Sequence, residues 1–217
     1  MTAPLQLTYY FDVLSQWCHF ADKSLDRLRR DFGDRIAVEL KIRLLNDGKP
    51  IAYTPEQLAA YYRRSKAIAG IETTAAWLHP GDSSLYANCA VEAVRSLGGD
   101  VESVRRKLSR AALRDGERVG TFDLACALAA RLSGFDEQRL GAAMRETEPL
   151  LRKSTAEFYA LPVEVVPTFV LRNAIGDTAI LSGLFRYGAL AAAAREMIDD
   201  ADAYERYAAD HPEIRDL

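Results

Sequence analysis

The most constraining feature of this chain is a change of hydrophobic period within its first 44 residues. Leu5, Leu7, Tyr9, Phe11 and Val13 are apolar while Gln6, Thr8 and Asp12 interleave, a period of two that predicts a strand. From Trp17 the period lengthens. Trp17, Phe20, Ala21, Leu25, Leu28 and Phe32 fall on one helical face, and Gly33 supplies a stop. Ile36, Val38, Leu40, Ile42 and Leu44 then alternate with Ala37, Glu39, Lys41 and Arg43, which predicts a second strand. A strand, a crossover helix and a strand in that order permit parallel pairing of the two strands.

Residues 51–159 contain no convincing strand. Thr54-Pro55-Glu56 reads as an N-cap, a first-turn proline and an acidic residue leading into a helix over Leu58 to Ile68. Further helices are expected near 83–97, 101–115, 121–133 and 136–159, separated by Gly98-Gly99, Gly116, Gly120 and Gly134. Strands return at Thr168 to Leu171 and Thr178 to Leu181, and the turn residues between them predict an antiparallel hairpin. A last helix is expected over Phe185 to Ile198, and the acidic tail has room for one more short helix. The order predicts an α/β thioredoxin fold with a large all-helical insertion. Residues 1–50 and 160–217 would form the thioredoxin-like domain and 51–159 the inserted helical subdomain.

Charge and composition exclude several functions. The net charge is -3 and the pI about 5.7, so no basic field is available to hold nucleic acid. The N-terminus lacks a basic segment followed by an apolar block, and Leu190 to Ala194 is too short to span a bilayer. Neither a signal peptide nor a membrane partner is expected. Cys18, Cys89 and Cys126 are far apart and form neither a disulfide framework nor a metal spacing. These features lead to an expected cytoplasmic location. With only His19, His79 and His211 to add, no metal site is expected.

In the thioredoxin arrangement the reactive place is the turn between the first strand and the first helix. Unpaired backbone N–H groups and the helix dipole favour negative charge there. In this chain that turn reads Leu14-Ser15-Gln16-Trp17-Cys18-His19. The segment Phe11-Asp12-Val13-Leu14-Ser15-Gln16-Trp17-Cys18 resembles the active-site segment of DsbA-family proteins, Phe-Asp-x-x-Cys-Pro-Trp-Cys in one branch. It is also similar to kappa-class glutathione transferases and 2-hydroxychromene-2-carboxylate isomerases, which read Asp-Val-Leu-Ser-Pro-Tyr-Ser or close variants. A second anchor, Val165-Val166-Pro167-Thr168-Phe169-Val170 followed by Leu181-Ser182-Gly183, resembles the family's Gly-Val-Pro-Thr-Phe-Val-Ile and Ser-Gly. The resemblance covers about residues 5 to 198. It implies a cis peptide bond between Val166 and Pro167.

The departures from the family pattern narrow the chemistry. Ser15 stands where a disulfide exchanger keeps its attacking cysteine, and a serine hydroxyl does not ionise near neutral pH. No Cys-x-x-Cys disulfide can form at this turn. By resemblance to the kappa-class and isomerase relatives, the Ser15 hydroxyl would donate a hydrogen bond to the thiolate of glutathione. The plainer reading of Ser15 is an N-cap. Cys18 matches the resolving position; it is either a monothiol that forms mixed disulfides or a small buried core residue. His19 would assist as a base, or pack on its helix. The expected substrate-binding residues are Leu14, Gln16, Trp17, Val166, Pro167, Ser182 and Arg186. Gln16 replaces the usual proline and is expected to loosen the turn. Gly183-Leu184-Phe185-Arg186 corresponds to the relatives' Gly-Ser-Asp-Arg, so Phe185 replaces the acid that holds the ligand's ammonium group. Weak glutathione binding or a different thiol is therefore expected.

The expected partner is a small thiol or thiol-bearing substrate. Many relatives are homodimers, and the sequence leaves that state open. Three readings remain. The first is a DsbA-family oxidoreductase-like enzyme using monothiol or ligand-thiolate chemistry. The second is a glutathione-dependent transferase or isomerase, and the third a non-catalytic binding module.

Overall fold

The computed structural model describes residues 3–211. Strand β1 spans Leu5–Phe11. It ends before the expected Val13 because the Asp12 side chain accepts the Leu14 N–H at 2.8 Å and turns the backbone away. Helix α1 spans Gln16–Phe32 and buries Phe20, Ala21, Leu25 and Leu28. Trp17 and Phe32, at the ends of that stripe, are only half-buried. Arg29 and Arg30 in its last turn complement the helix dipole. Gly33 follows with φ +55°, a left-handed conformation that only glycine adopts freely. Strand β2 is Ile36–Ile42.

Strands β3 (Thr168–Asn173) and β4 (Thr178–Ser182) complete a mixed sheet of order β2-β1-β3-β4. β1 pairs antiparallel with β3; β3 pairs antiparallel with β4, as the hairpin chemistry predicts. The parallel pair of the mixed sheet is therefore β2 with β1. Tyr9 opposes Phe169 across the ladder, and their rings stack at 4.8 Å.

Between β2 and β3 the described residues hold helices and no strand. These are α2 (Pro55–Ala69), α3 (Leu85–Ser96), α4 (Val101–Leu113), α5 (Phe122–Ser133), α6 (Glu137–Arg145) and α7 (Glu148–Tyr159). Thr54 opens α2 with a full capping box: its hydroxyl accepts the Gln57 N–H, and the Gln57 side chain accepts the Thr54 N–H. The single helix expected over 136–159 is two. Pro149 has no N–H to give to a preceding turn, and the Thr147 hydroxyl bonds the Met144 carbonyl at 2.8 Å, closing α6. The last helix, α8, runs over Tyr187–Asp210, so the acidic tail continues that helix through Asp210, and the part of the expected tail helix beyond 211 lies outside the described residues.

The chain divides into two compact units. The first comprises Met1–Tyr10, Ala21–Lys41 and Pro167–Leu217, and its core holds Leu5, Leu7, Leu25, Leu28 and Leu171. Within it, Tyr187 of α8 donates to Asp31, and the Arg27 guanidinium lies 4.2 Å from the Tyr187 ring centre. The second comprises Phe11–Phe20 and Ile42–Val166. There α3, with Ala87, Ala90, Val91 and Val94 fully buried, packs against α4, α5, α6 and α7.

Candidate active site

The turn that enters α1 belongs to the second unit, and every backbone N–H from Val13 to Ser15 is spoken for. Val13 N–H donates to the Asn88 side-chain oxygen at 3.1 Å. Leu14 N–H donates to Asp12 Oδ1 at 2.8 Å. Ser15 N–H donates to the Asp12 carbonyl at 3.1 Å. Asp12 Oδ2 accepts two further donors, Leu45 N–H at 2.9 Å and Asn88 Nδ2 at 2.8 Å. The same Asn88 amide reaches the Ser84 carbonyl at 2.8 Å. Asp12 is 1% exposed. Burial pushes its carboxyl up to about 6, against the hydrogen bonds from Leu45, Leu14 and Asn88 that favour the charge. Ser84 also favours the charged form, although its hydroxyl makes no hydrogen bond of good geometry.

Ser15 stands immediately before α1, and its hydroxyl oxygen accepts the Cys18 N–H at 3.4 Å, a long bond. This is the N-cap position. The Ser15 O–H finds no acceptor among the described residues. Ser15 is 6% exposed and Cys18 only 2%. Leu14 is buried as well. The half-buried Trp17 donates its indole N–H to the Tyr61 hydroxyl on α2, and its ring meets Phe20 edge-on at 5.4 Å. The half-buried His19 places Nδ1 3.2 Å from the Ser109 hydroxyl on α4. Gln16, which replaces the usual proline, is buried; its amide donates to Thr73, and its Oε1 has no partner among the described residues.

Val166 is buried and belongs to the same unit. Pro167, Ser182 and Arg186 belong to the other. There the Pro167 carbonyl accepts the Gly183 N–H at 2.8 Å, and Ser182 Oγ accepts from Thr168 at 2.9 Å. Arg186 is exposed, immediately before α8, with its guanidinium 5.7 Å from the Phe185 ring centre. The structure thus gathers Leu14 to His19 on one turn and sets Pro167 and Ser182 on the β3–β4 hairpin.

Two polar residues of this site went unread in the sequence. Asp12 looks like the solvent-facing alternate of a strand, yet it is the centre of a buried network. Asn88 interrupts an apolar face of α3, and that interruption is the signal that points to it. Cys89 and Cys126 are buried, and burial pushes both thiols up. None of the three cysteines is in a disulfide. Among the described residues, no cluster of His, Cys, Asp and Glu is placed to hold a metal, and no helix is long and apolar enough to cross a membrane.

A family profile described as DSBA-like thioredoxin domain matches residues 6–211. Comparison with curated proteins finds no match. Among solved structures, the chain is similar to the cytosolic disulfide reductase DsbM from Pseudomonas aeruginosa. That match has 20% identity and a TM-score of 0.65, and covers 93% of this chain and 99% of that one. The same enzyme with GSH matches at 18% identity and TM-score 0.65, covering 93% and 99%. A thioredoxin-like oxidoreductase from Silicibacter pomeroyi matches at 17% identity and TM-score 0.57, covering 93% of this chain and 88% of the other.

Proposed function

The chain belongs to the DSBA-like thioredoxin domain family, and from that premise we propose that it is a thiol-dependent oxidoreductase whose working thiolate comes from a ligand of the glutathione type. The observation that carries this reading is the Ser15 hydroxyl. It caps α1 as an acceptor and keeps its own O–H uncommitted. A thiolate above that turn receives this hydrogen bond and the favourable end of the helix dipole, and both stabilise the charged form. Bound glutathione would supply the thiolate for exchange with a disulfide. The GSH in one structural relative supports that choice of ligand for this chain. The ligand-thiolate route is favoured over a Cys18 monothiol because Cys18 is buried in the first turn of the helix.

The Val166-Pro167 edge, with its expected cis bond, would pair with the backbone of an extended peptide ligand. His19, held toward Ser109, would take or give the proton of the exchanging thiol. Leu14, Gln16, Trp17, Ser182 and Arg186 complete the proposed binding residues. Residues 51–159 are, in this reading, an insertion into the thioredoxin-like domain. A cytoplasmic location is supported by the cysteines outside any disulfide and by the cytosolic description of DsbM.

Isothermal titration with reduced glutathione tests the proposal. Wild type should bind, and Ser15→Ala should bind roughly tenfold or more weakly, the loss expected for one hydrogen bond to a charged group. Absence of heat at millimolar ligand would remove the glutathione reading and favour a non-catalytic module. Equal affinity in the two proteins would remove Ser15. The transferase or isomerase alternative shares Ser15 and is separated by whether binding leads to disulfide exchange or to reaction with an electrophile.

A further inference from the structure

We propose that Asp12 is the positioning residue of the Ser15 turn: its carboxylate, held as the common acceptor for Leu14, Leu45 and Asn88, sets the backbone on which Ser15 sits, and loss of its charge releases that backbone. The inference deepens the reading of Ser15 as the group that meets a ligand thiolate. Asp12 itself touches no ligand in that reading, so it acts through the turn.

The geometry is asymmetric in a way that matters. Oδ2 carries two hydrogen bonds, from Leu45 and from Asn88, and Oδ1 carries one, from Leu14. Each of these partners is a donor. A proton added to the carboxylate has to share an oxygen already facing an N–H, and a hydroxyl oxygen is a poorer acceptor than a carboxylate oxygen. Protonation disturbs fewest bonds at Oδ1. The bond it weakens there is the one to the turn. Leu14 and Ser15 are adjacent, and Ser15 N–H is tied to the Asp12 carbonyl. A change at Oδ1 therefore moves the residue that caps α1.

Few charges compete for control of Asp12. Tyr62 of α2 faces it, and burial pushes that phenol above its ordinary range, so it stays neutral. α3 and the segment before it present Asn88 and Ser84, both uncharged. Beyond β2, the Arg43 guanidinium turns to the Leu44 carbonyl and to the rings of Phe158 and Tyr159. On α4, Arg105 lies over the Phe11 ring at 5.0 Å and is paired with Glu102 at 2.7 Å. On α1, Cys18 and His19 follow the turn, and His19 is directed to Ser109. The carboxylate is thus held by neutral donors, and its titration falls near pH 6 because burial dominates.

The test is a pH titration of the folded protein, from about pH 4.5 to 8, followed by the amide signals of Leu14, Ser15 and Leu45 and the side-chain carboxyl carbon of Asp12. In wild type the four signals should move together with one midpoint near 6. In Asp12→Asn the amides should not titrate. Glutathione should bind wild type more weakly at pH 5 than at pH 7.5, and Asp12→Asn should show a smaller contrast, what remains being the titration of the ligand's own thiol. A Leu14 amide that stays constant while the Asp12 carboxyl titrates would overturn the proposal, with no need for the variant to fold. So would an undiminished amide titration in folded Asp12→Asn. If glutathione binds at neither pH, the reading of Ser15 fails, and the amide signals still decide the role of Asp12.

Discussion

A buried carboxylate is an unusual thing for a small domain to keep, because its charge has to leave water. Asp12 is fully enclosed, and its folded-state value of about 6 lies above the ordinary 3.8. The folded chain therefore holds this proton more tightly than the unfolded chain does. The stability linked to Asp12 is complete below pH 3.8 and is lost as pH rises through about 6. A difference of about two pH units corresponds to roughly 3 kcal/mol. Urea unfolding of wild type and Asp12→Asn checks this. From pH 4 to pH 7 the stability of wild type relative to the variant should fall, by up to about 3 kcal/mol. A relative stability that rises over this window would contradict the burial argument. Lowered carboxyls such as Asp31 and Asp202, stabilised by Tyr187 and Arg35 respectively, work in the opposite direction and at lower pH. The comparison with the variant cancels them.

At the level of elements, the decisive boundary is the one between β1 and α1. The turn is short because Asp12 captures Leu14, and α1 then begins at Gln16 with Ser15 as its cap. Positions 15 and 18 are consequently one helical turn apart, with the 18 N–H facing the 15 side chain. Ser15→Cys is expected to form a reducible disulfide with Cys18, read as the loss of one thiol pair under oxidant and its return with a reductant. Two persistent free thiols at the turn would mean that the first helical turn holds them apart. Several other element boundaries were legible from local signals. Gly33 ended α1, Thr54 opened α2, and the hairpin between β3 and β4 followed its turn residues. The break between α6 and α7 was missed, although Pro149 marked it, because the apolar pattern runs on through Leu150 and Leu151.

At the level of the whole chain, the three cysteines report on two depths of protection. All are buried, on three different helices. Cys89 and Cys126 lie within helices of the block from α3 to α7, so a thiol reagent reaches them only through a large opening. Cys18 lies in the first turn of α1, where fraying exposes a side chain at smaller cost. Labelling of the native protein followed by mass analysis should modify Cys18 first, with Cys89 and Cys126 following together as denaturant is added. Equal rates for all three would place Cys18 in the same inert class as the other two. Fast modification of Cys18 with a small disulfide would instead favour its own monothiol chemistry.

The amino-acid sequence alone determined the order and type of the elements, apart from the division of residues 136–159 into two helices, since a period of two, a helical period and turn residues are local properties of the chain. It also located the turn at Ser15 and excluded a Cys-x-x-Cys disulfide there, because that depends only on which atoms the side chains carry. Only the tertiary structure decided what holds the turn. Asn88 and Leu45 come from distant parts of the chain, and Asp12 becomes a buried acceptor only when folding brings both to it. Folding likewise buried Gln16 and brought its amide to Thr73, and enclosed the Cys18 thiol. Solvation and hydrogen-bond partners are set by neighbours in space, and spacing along the chain does not contain them.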